Sequence, residues 1–173
     1  MKAAIYHGAN QPLTIESVEI DKPQSREVLV RTMATGVCHS DLHFVDGLYP
    51  YPAPAILGHE AAGIAEAGGD QVPAFKPGDP VTSCLSVFCG SCKYCLSGRM
   101  SLCNAKPARK PGVDAPYFTW NGNPVFKFLN ISSYAEQMLL HENAIVKIQD
   151  DMPFEQAALI GCGVPPGGGA ALT

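Results

Sequence analysis

The stretch CGSCKYCLSGRMSLC, residues 89–103, carries four cysteines, Cys89, Cys92, Cys95 and Cys103, spaced Cys-x2-Cys-x2-Cys-x7-Cys. Two-residue gaps turn successive thiolates toward one ion, and the longer gap brings the chain round to close a tetrahedron. With all four positions filled, none is left for water, which is the pattern of a structural zinc site. Two other readings stand beside it: four free buried cysteines, and an iron–sulfur cluster, since the same short spacing occurs in ferredoxins. Against the cluster, no proline follows Cys103 and the chain has one such group. Lys93, Arg99, Lys106, Arg109 and Lys110 lie close by in sequence and are expected to offset the thiolate charge.

A segment organised by a metal and not by apolar periodicity is an excursion from a core, so the body of the fold has to be read from its flanks. Upstream, KAAIY (2–6), LTIESVEI (13–20) and EVLVRTMAT (27–35) are rich in β-branched residues with rough alternation, separated by Gly, Pro, Asn and Asp. That pattern predicts short strands. Pro77 and Gly78 in FKPGDPV occupy the middle of an expected type II turn leading into VTSCL. HEAAGIAEAG, SYAEQMLL and AIVKI complete the expected strands. Helical signal is confined to Ser40–Val45 and to FEQAALI (154–160), the latter with Asp151 as expected N-cap and Pro153 in its first turn. Between Cys84 and Asn130 the periodicity breaks down, so this whole span reads as the excursion.

At 173 residues, 46% hydrophobic and 16% charged, the chain is long enough for one substantial core and short for two. A net charge of -4 and a pI of about 5.7, without a run of basic residues, argue against nucleic acid as a partner. No apolar stretch approaches the roughly 20 residues of a membrane span, and MKAAIYHGAN lacks the apolar region of a secretory signal. The expectation is a cytoplasmic protein with no membrane partner. An odd total of 7 cysteines with four clustered also points to metal before disulfides in a reducing compartment.

A second constellation begins at GVCHSDLH, residues 36–43, with Cys38, His39, Ser40, Asp41 and His43. GHEAAG (58–63) then places His59 and Glu60 at the expected start of a strand, and GCGV (161–164) adds Cys162 after the second helix. Two thiolates and one imidazole make a neutral Zn²⁺ site with a fourth position open to water or substrate, the arrangement of a catalytic zinc. The sequence by itself leaves open whether these three residues meet.

Taken in order, GVCHSDLH, GHEAAG, FKPGDPV, the CGSCKYC lobe and GCGV resemble the catalytic domain of zinc-dependent alcohol dehydrogenases of the medium-chain dehydrogenase/reductase family, from Met1 to about Val164. The resemblance implies a mainly β, GroES-like, partly open β-barrel with short helices. It spans residues 1–160, with a structural-zinc lobe inserted at 84–111. Residues 161–173 are then expected to be a truncated junction to a missing Rossmann domain. The glycine-rich GCGVPPG is no dinucleotide fingerprint, because Pro166 stands where the third glycine belongs and no strand precedes it. Its glycines are expected to mark flexibility.

The resemblance also implies roles. Cys38, His59 and Cys162 would hold a catalytic zinc, and Cys89, Cys92, Cys95 and Cys103 a structural one, giving two zinc ions per chain. Glu60 matches an acid that approaches the metal during ligand exchange, and Asp41 the carboxylate that orients the zinc-bound histidine. Ser40 and His43 match a proton relay, and His39 a contact to the cofactor pyrophosphate. Tyr49, Leu85, Phe128 and Leu129 would line an apolar substrate pocket. The implied reaction is oxidation of a primary or aromatic alcohol to an aldehyde, and the reverse, with NAD or NADP in a complete, homo-oligomeric enzyme. The truncated chain alone is expected to be inactive. A glutathione-dependent formaldehyde dehydrogenase and a non-catalytic zinc-stabilised GroES-like binding module are the alternatives.

Overall fold

The computed structural model describes residues 1–172. Eleven strands run in chain order: β1 (Lys2–Tyr6), β2 (Thr14–Ser17), β3 (Glu19–Ile20), β4 (Glu27–Gly36), β5 (Ala55–Ile56), β6 (Glu60–Gly68), β7 (Pro80–Ser83), β8 (Phe118–Trp120), β9 (Asn123–Lys127), β10 (Gln137–His141) and β11 (Ile145–Lys147). The helices are short: α1 (His39–Val45), α2 (Lys93–Leu96), α3 (Phe154–Ile160) and α4 (Val164–Leu172). One sheet has the order β2-β1-β5-β9-β8-β3 and the other β10-β4-β6-β7-β11. A bridge between Ala3 and Ala135 ties the two together, and the result is the expected partly open barrel.

Alternation along the strands fills its interior. Val28 and Val30 of β4, Ala61 and Ala65 of β6, Val81 of β7, and Met138 and Leu140 of β10 form one apolar cluster. Ala3 and Ile5 of β1 pack with Ile56, Phe118 and Val125 in a second. Gly78 has φ +96° and the Asp79 amide donates to the Lys76 carbonyl at 3.1 Å, so the expected turn closes as read.

Five expectations need correction. The 84–130 excursion is too wide, because β8 and β9 form a hairpin within the six-stranded sheet, with Phe118 wholly buried. Asn121 and Gly122, both at positive φ, make its turn, a hairpin signal of Asn-Gly type that the surrounding cysteines and prolines obscured. LTIESVEI is broken at Val18, whose amide donates to the Met1 carbonyl, so its second part pairs with β8 as β3. SYAEQMLL is strand only from Gln137, because the Tyr134 amide donates to the Leu57 carbonyl instead of a ladder partner.

The N-cap of α3 is Pro153 and not Asp151; Pro153 is extended (ψ 132°), and lacking an N–H it sits naturally where helical amides are unpartnered. The final correction is the tail. Val164–Leu172 is helical although it contains three glycines, with Pro165 and Pro166 in the first turn where missing amides do no harm. No residue of α4 is buried. Thr173, the last residue of the expected junction, lies outside the described residues. Among the described residues no helix is long and apolar enough to cross a membrane.

Candidate metal centres

In the lobe, the four sulfurs converge. Cys92 Sγ lies 3.5 Å from Cys95 Sγ and 3.9 Å from Cys103 Sγ, and Cys89 Sγ lies 3.9 Å from Cys95 Sγ. A Zn–S distance of about 2.3 Å in a tetrahedron requires sulfurs about 3.8 Å apart, so the set encloses space for one ion and none for the several irons of a cluster. Amides of Ser91 and Cys92 donate to Cys89 Sγ, and with the Ser91 hydroxyl they bring that thiol down to about 6. Burial and the neighbouring sulfurs push Cys95 up to about 11. Four thiolates cannot coexist here without a cation, which is the condition a metal satisfies.

Arg109 does not offset that charge as expected. Its guanidinium turns the other way, donating to both carboxylate oxygens of Glu27 (2.9 and 2.6 Å) and to Asp21 Oδ2 (2.6 Å), and so fastens the exit of the lobe to the start of β4. Lys93 reaches over the Tyr94 ring.

The second set is assembled from three distant parts of the chain. Cys38 lies two residues beyond β4 and caps α1, where its amide donates to Asp41 Oδ2 at 3.1 Å and starts the helix. His59 precedes β6. Cys162 follows α3, whose Ala157 and Ala158 are buried beside Ala62 of β6, while the Ala157 carbonyl accepts from Thr82 Oγ1 at 2.7 Å. Gly161 lies so near β7 that a Cβ would stand 2.1 Å from the Ser83 carbonyl oxygen, which sets where the next residue, Cys162, emerges.

Donor atoms of Cys38, His59, Glu60 and Cys162 all lie within 4.8 Å of one another. His59 is 1% exposed, and its Nδ1 lies 3.1 Å from Asp41 Oδ1. A carboxylate offers only acceptors, so Nδ1 carries the hydrogen and Nε2 presents its lone pair to the set. Burial alone would lower the His59 pKa, but the bond to Asp41, its charge and Cys38 raise it overall. Burial likewise opposes ionisation of Cys38, yet hydrogen bonds to the Ser40 amide and hydroxyl, with His59, hold it below the ordinary thiol value. Cys162 is pushed up to about 12 by burial and by the nearby Cys38 and Glu60. One thiolate forms readily and the second awaits a positive charge, so this donor set also calls for a cation. Glu60 is buried, and its Oε1 accepts from the Gly163 amide at 3.2 Å.

The remaining expected residues divide. Ser40 and His43 lie on α1, and the His43 ring packs edge-on against His39 (centroids 4.6 Å) and Tyr49 (5.5 Å). His39 and Tyr49 are exposed. Phe128 has no exposed surface; it is wedged against Phe44 and Tyr51 and backs His59 at 6.0 Å, so it supports that ring instead of facing an opening. Leu129 packs with it, whereas Leu85 packs against the separate Val28–Met138 cluster. Two residues were missed. Tyr134 donates to Asp41 Oδ2 at 3.0 Å and Ser133 contacts Thr35 at 2.7 Å; neither belongs to a recognisable motif.

Residues 24–150 match the family described as alcohol dehydrogenase GroES-like domain. The chain is 39% identical over 175 residues to an alcohol dehydrogenase class-3 of Pisum sativum, covering 98% of this chain and 46% of that one. It is structurally similar to an alcohol dehydrogenase zinc-binding domain protein of Burkholderia ambifaria (TM-score 0.88, 37% identity, 98% of this chain and 47% of that one). It is also similar to the benzyl alcohol dehydrogenase of Acinetobacter calcoaceticus (TM-score 0.84, 37% identity, 99% and 47%). The chain thus spans about half the length of these relatives.

Proposed function

The chain belongs to the zinc-dependent alcohol dehydrogenases of the medium-chain dehydrogenase/reductase family, and on that premise we propose that it is the catalytic portion of an NAD(P)-linked enzyme that oxidises a primary or aromatic alcohol. The observation that carries this reading is the gathering of two sulfurs, one imidazole and one carboxylate within 4.8 Å, on residues from three parts of the chain. A scaffold needs a closed metal site; three firm donors with a further position open serve chemistry.

In this reading Cys38 Sγ, Cys162 Sγ and His59 Nε2 would hold the catalytic zinc, and Cys89, Cys92, Cys95 and Cys103 would hold the structural one. Zinc, when bound, supplies a Lewis acid that polarises the substrate oxygen. Asp41 fixes the His59 tautomer and the plane of its ring through Nδ1. Ser40 Oγ takes the hydroxyl proton and passes it toward His43, whose imidazole exchanges it with solvent near neutral pH. Glu60 stays beside the donors as an alternative oxygen ligand, and exposed His39 would contact the pyrophosphate of a bound cofactor. Tyr49 and Leu129 flank the substrate, and an apolar boundary favours an uncharged alcohol. NAD or NADP, when bound, would supply the hydride acceptor.

The test is ligand access to the open position. The chain loaded with Co²⁺ in both centres, titrated with imidazole and then with benzyl alcohol, is expected to show a saturable change in visible absorption. That change should vanish in Cys38→Ala and persist in Cys95→Ala. A spectrum indifferent to added ligand overturns the catalytic reading.

A further inference from the structure

We propose that Tyr134 is a positioning residue for the Cys38, His59 and Cys162 centre, acting through Asp41; this rests on the reading of that centre as a zinc site. Asp41 is 2% exposed and its carboxylate is fully occupied. Oδ1 accepts from the Gly58 amide (3.3 Å) and His59 Nδ1 (3.1 Å); Oδ2 accepts from the Cys38 amide (3.1 Å) and the Tyr134 hydroxyl (3.0 Å). A carboxylate offers about four such places, so each is used. Three of the donors come from residues adjoining or forming the metal set. Tyr134 is the one that anchors the carboxylate to another part of the barrel, 93 residues away in sequence.

The chain is shaped to bring it there. The Ser133 and Tyr134 amides donate to the Gly58 and Leu57 carbonyls, each at 3.1 Å, laying this segment along the residues that lead into His59. Gly58 has φ +87°, and a Cβ there would stand 2.5 Å from Tyr134 Cδ1 and 2.4 Å from Ser133 Oγ. Ser133 in turn meets Thr35 Oγ1, which donates to the Glu60 carbonyl at 3.0 Å. Burial and the charge of Asp41 keep the phenol protonated well above the ordinary tyrosine range, so it remains a donor wherever Asp41 is ionised. Without the hydroxyl, Oδ2 keeps only the Cys38 amide, the three remaining donors all belong to the segments of the metal set, and the Asp41–His59 pair loses its tie to the rest of the barrel.

Tyr134→Phe keeps the ring and removes the hydrogen bond. Zinc affinities of both centres are measured on the unmodified chain, Tyr134→Phe, Asp41→Asn and the double variant, by competition with a chromophoric chelator. Tyr134→Phe is expected to weaken the Cys38 centre by up to about tenfold, the lower end for loss of an outer-shell partner. The Cys89 centre should be unchanged, and a Co²⁺ spectrum of the Cys38 centre should shift. In the Asp41→Asn background the same substitution should add little, because the residue acts through Asp41. Equal affinity and spectrum, equal loss at both centres, or a fully additive double variant would overturn the role of Tyr134 alone. Uptake of one ion by the unmodified chain that is retained in Cys38→Ala and lost in Cys95→Ala would overturn the Cys38 centre, and this proposal with it.

Discussion

Asp41 Oδ1 lies 3.1 Å from His59 Nδ1, and their side chains are 3% and 1% exposed. A contact so enclosed fixes both the tautomer and the direction of the imidazole, which is what a metal ligand needs from its support. Asp41→Asn is therefore expected to reduce zinc affinity of this centre by about 10- to 100-fold. The lobe should be untouched, because its ligands share no partner with Asp41. Chelator competition, with the lobe as internal reference, measures both.

Gly58 and Gly112 separate contact from strain. Both have positive φ, +87° and +74°, but a Cβ at Gly112 meets nothing within 4 Å while one at Gly58 collides with Ser133 and Tyr134. Gly112→Ala should cost about 1 kcal/mol, from backbone strain alone. Gly58→Ala should cost about 2–4 kcal/mol, since overpacking adds to it. At about 2–4 °C per kcal/mol for a chain of this size, thermal denaturation resolves the two. Similar losses for both would mean that the segment relaxes around the added methyl.

The side chain of Arg109 is 5% exposed between Glu27 and Asp21. Arg109→Met leaves Glu27, itself buried, without its cation, and losing one partner of a buried pair costs about 3–5 kcal/mol. Urea unfolding measures the loss. Because Arg109 also joins the lobe to β4, the variant should open the lobe to protease before the barrel unfolds.

Lys127 gives a pH-dependent test. The residue is half-buried, but its Nζ sits over the Tyr117 ring at 4.0 Å and donates to the Leu139 carbonyl. Burial pushes its pKa down from 10.5 to about 7, Glu27 opposing the shift and Arg109 adding to it. Between about pH 7 and 10.5 the unfolded chain therefore binds more protons at this site than the folded one. Its contribution raises stability as pH rises through that window and is level below it, where both states are protonated. Lys127→Met removes this slope: the variant should gain most relative to the parent near pH 6.5, and the gap should narrow by pH 10. A gap independent of pH would show that the ammonium is solvated.

The strands and the four-cysteine cluster were legible in the sequence for a shared reason, whereas Cys38, His59 and Cys162, from three parts of the chain, were linked only through the family resemblance. Alternation in EVLVRTMAT and thiolate spacing in CGSCKYC are local patterns, set by the geometry of a strand and of a tetrahedron. The β8–β9 hairpin was not legible because its Asn121-Gly122 turn follows a long stretch of cysteines and prolines without periodicity. Nor were the roles of Tyr134 and Arg109, whose partners lie 93 and 82 residues away. Such contacts exist only once the barrel has closed. In the tail, local composition predicted flexibility for PPGGG, and the helix Val164–Leu172 forms against that tendency.

The proposed function requires two independent zinc centres in this chain, one closed and one open. Zinc content of the purified protein, measured by mass spectrometry of the metal for the unmodified chain, Cys38→Ala and Cys95→Ala, is the decisive measurement. The expected result is close to two ions per chain in the first and close to one in each variant, with the remaining ion in Cys95→Ala responding to added imidazole. One ion or none in the unmodified chain, or loss of both ions with either substitution, would contradict it.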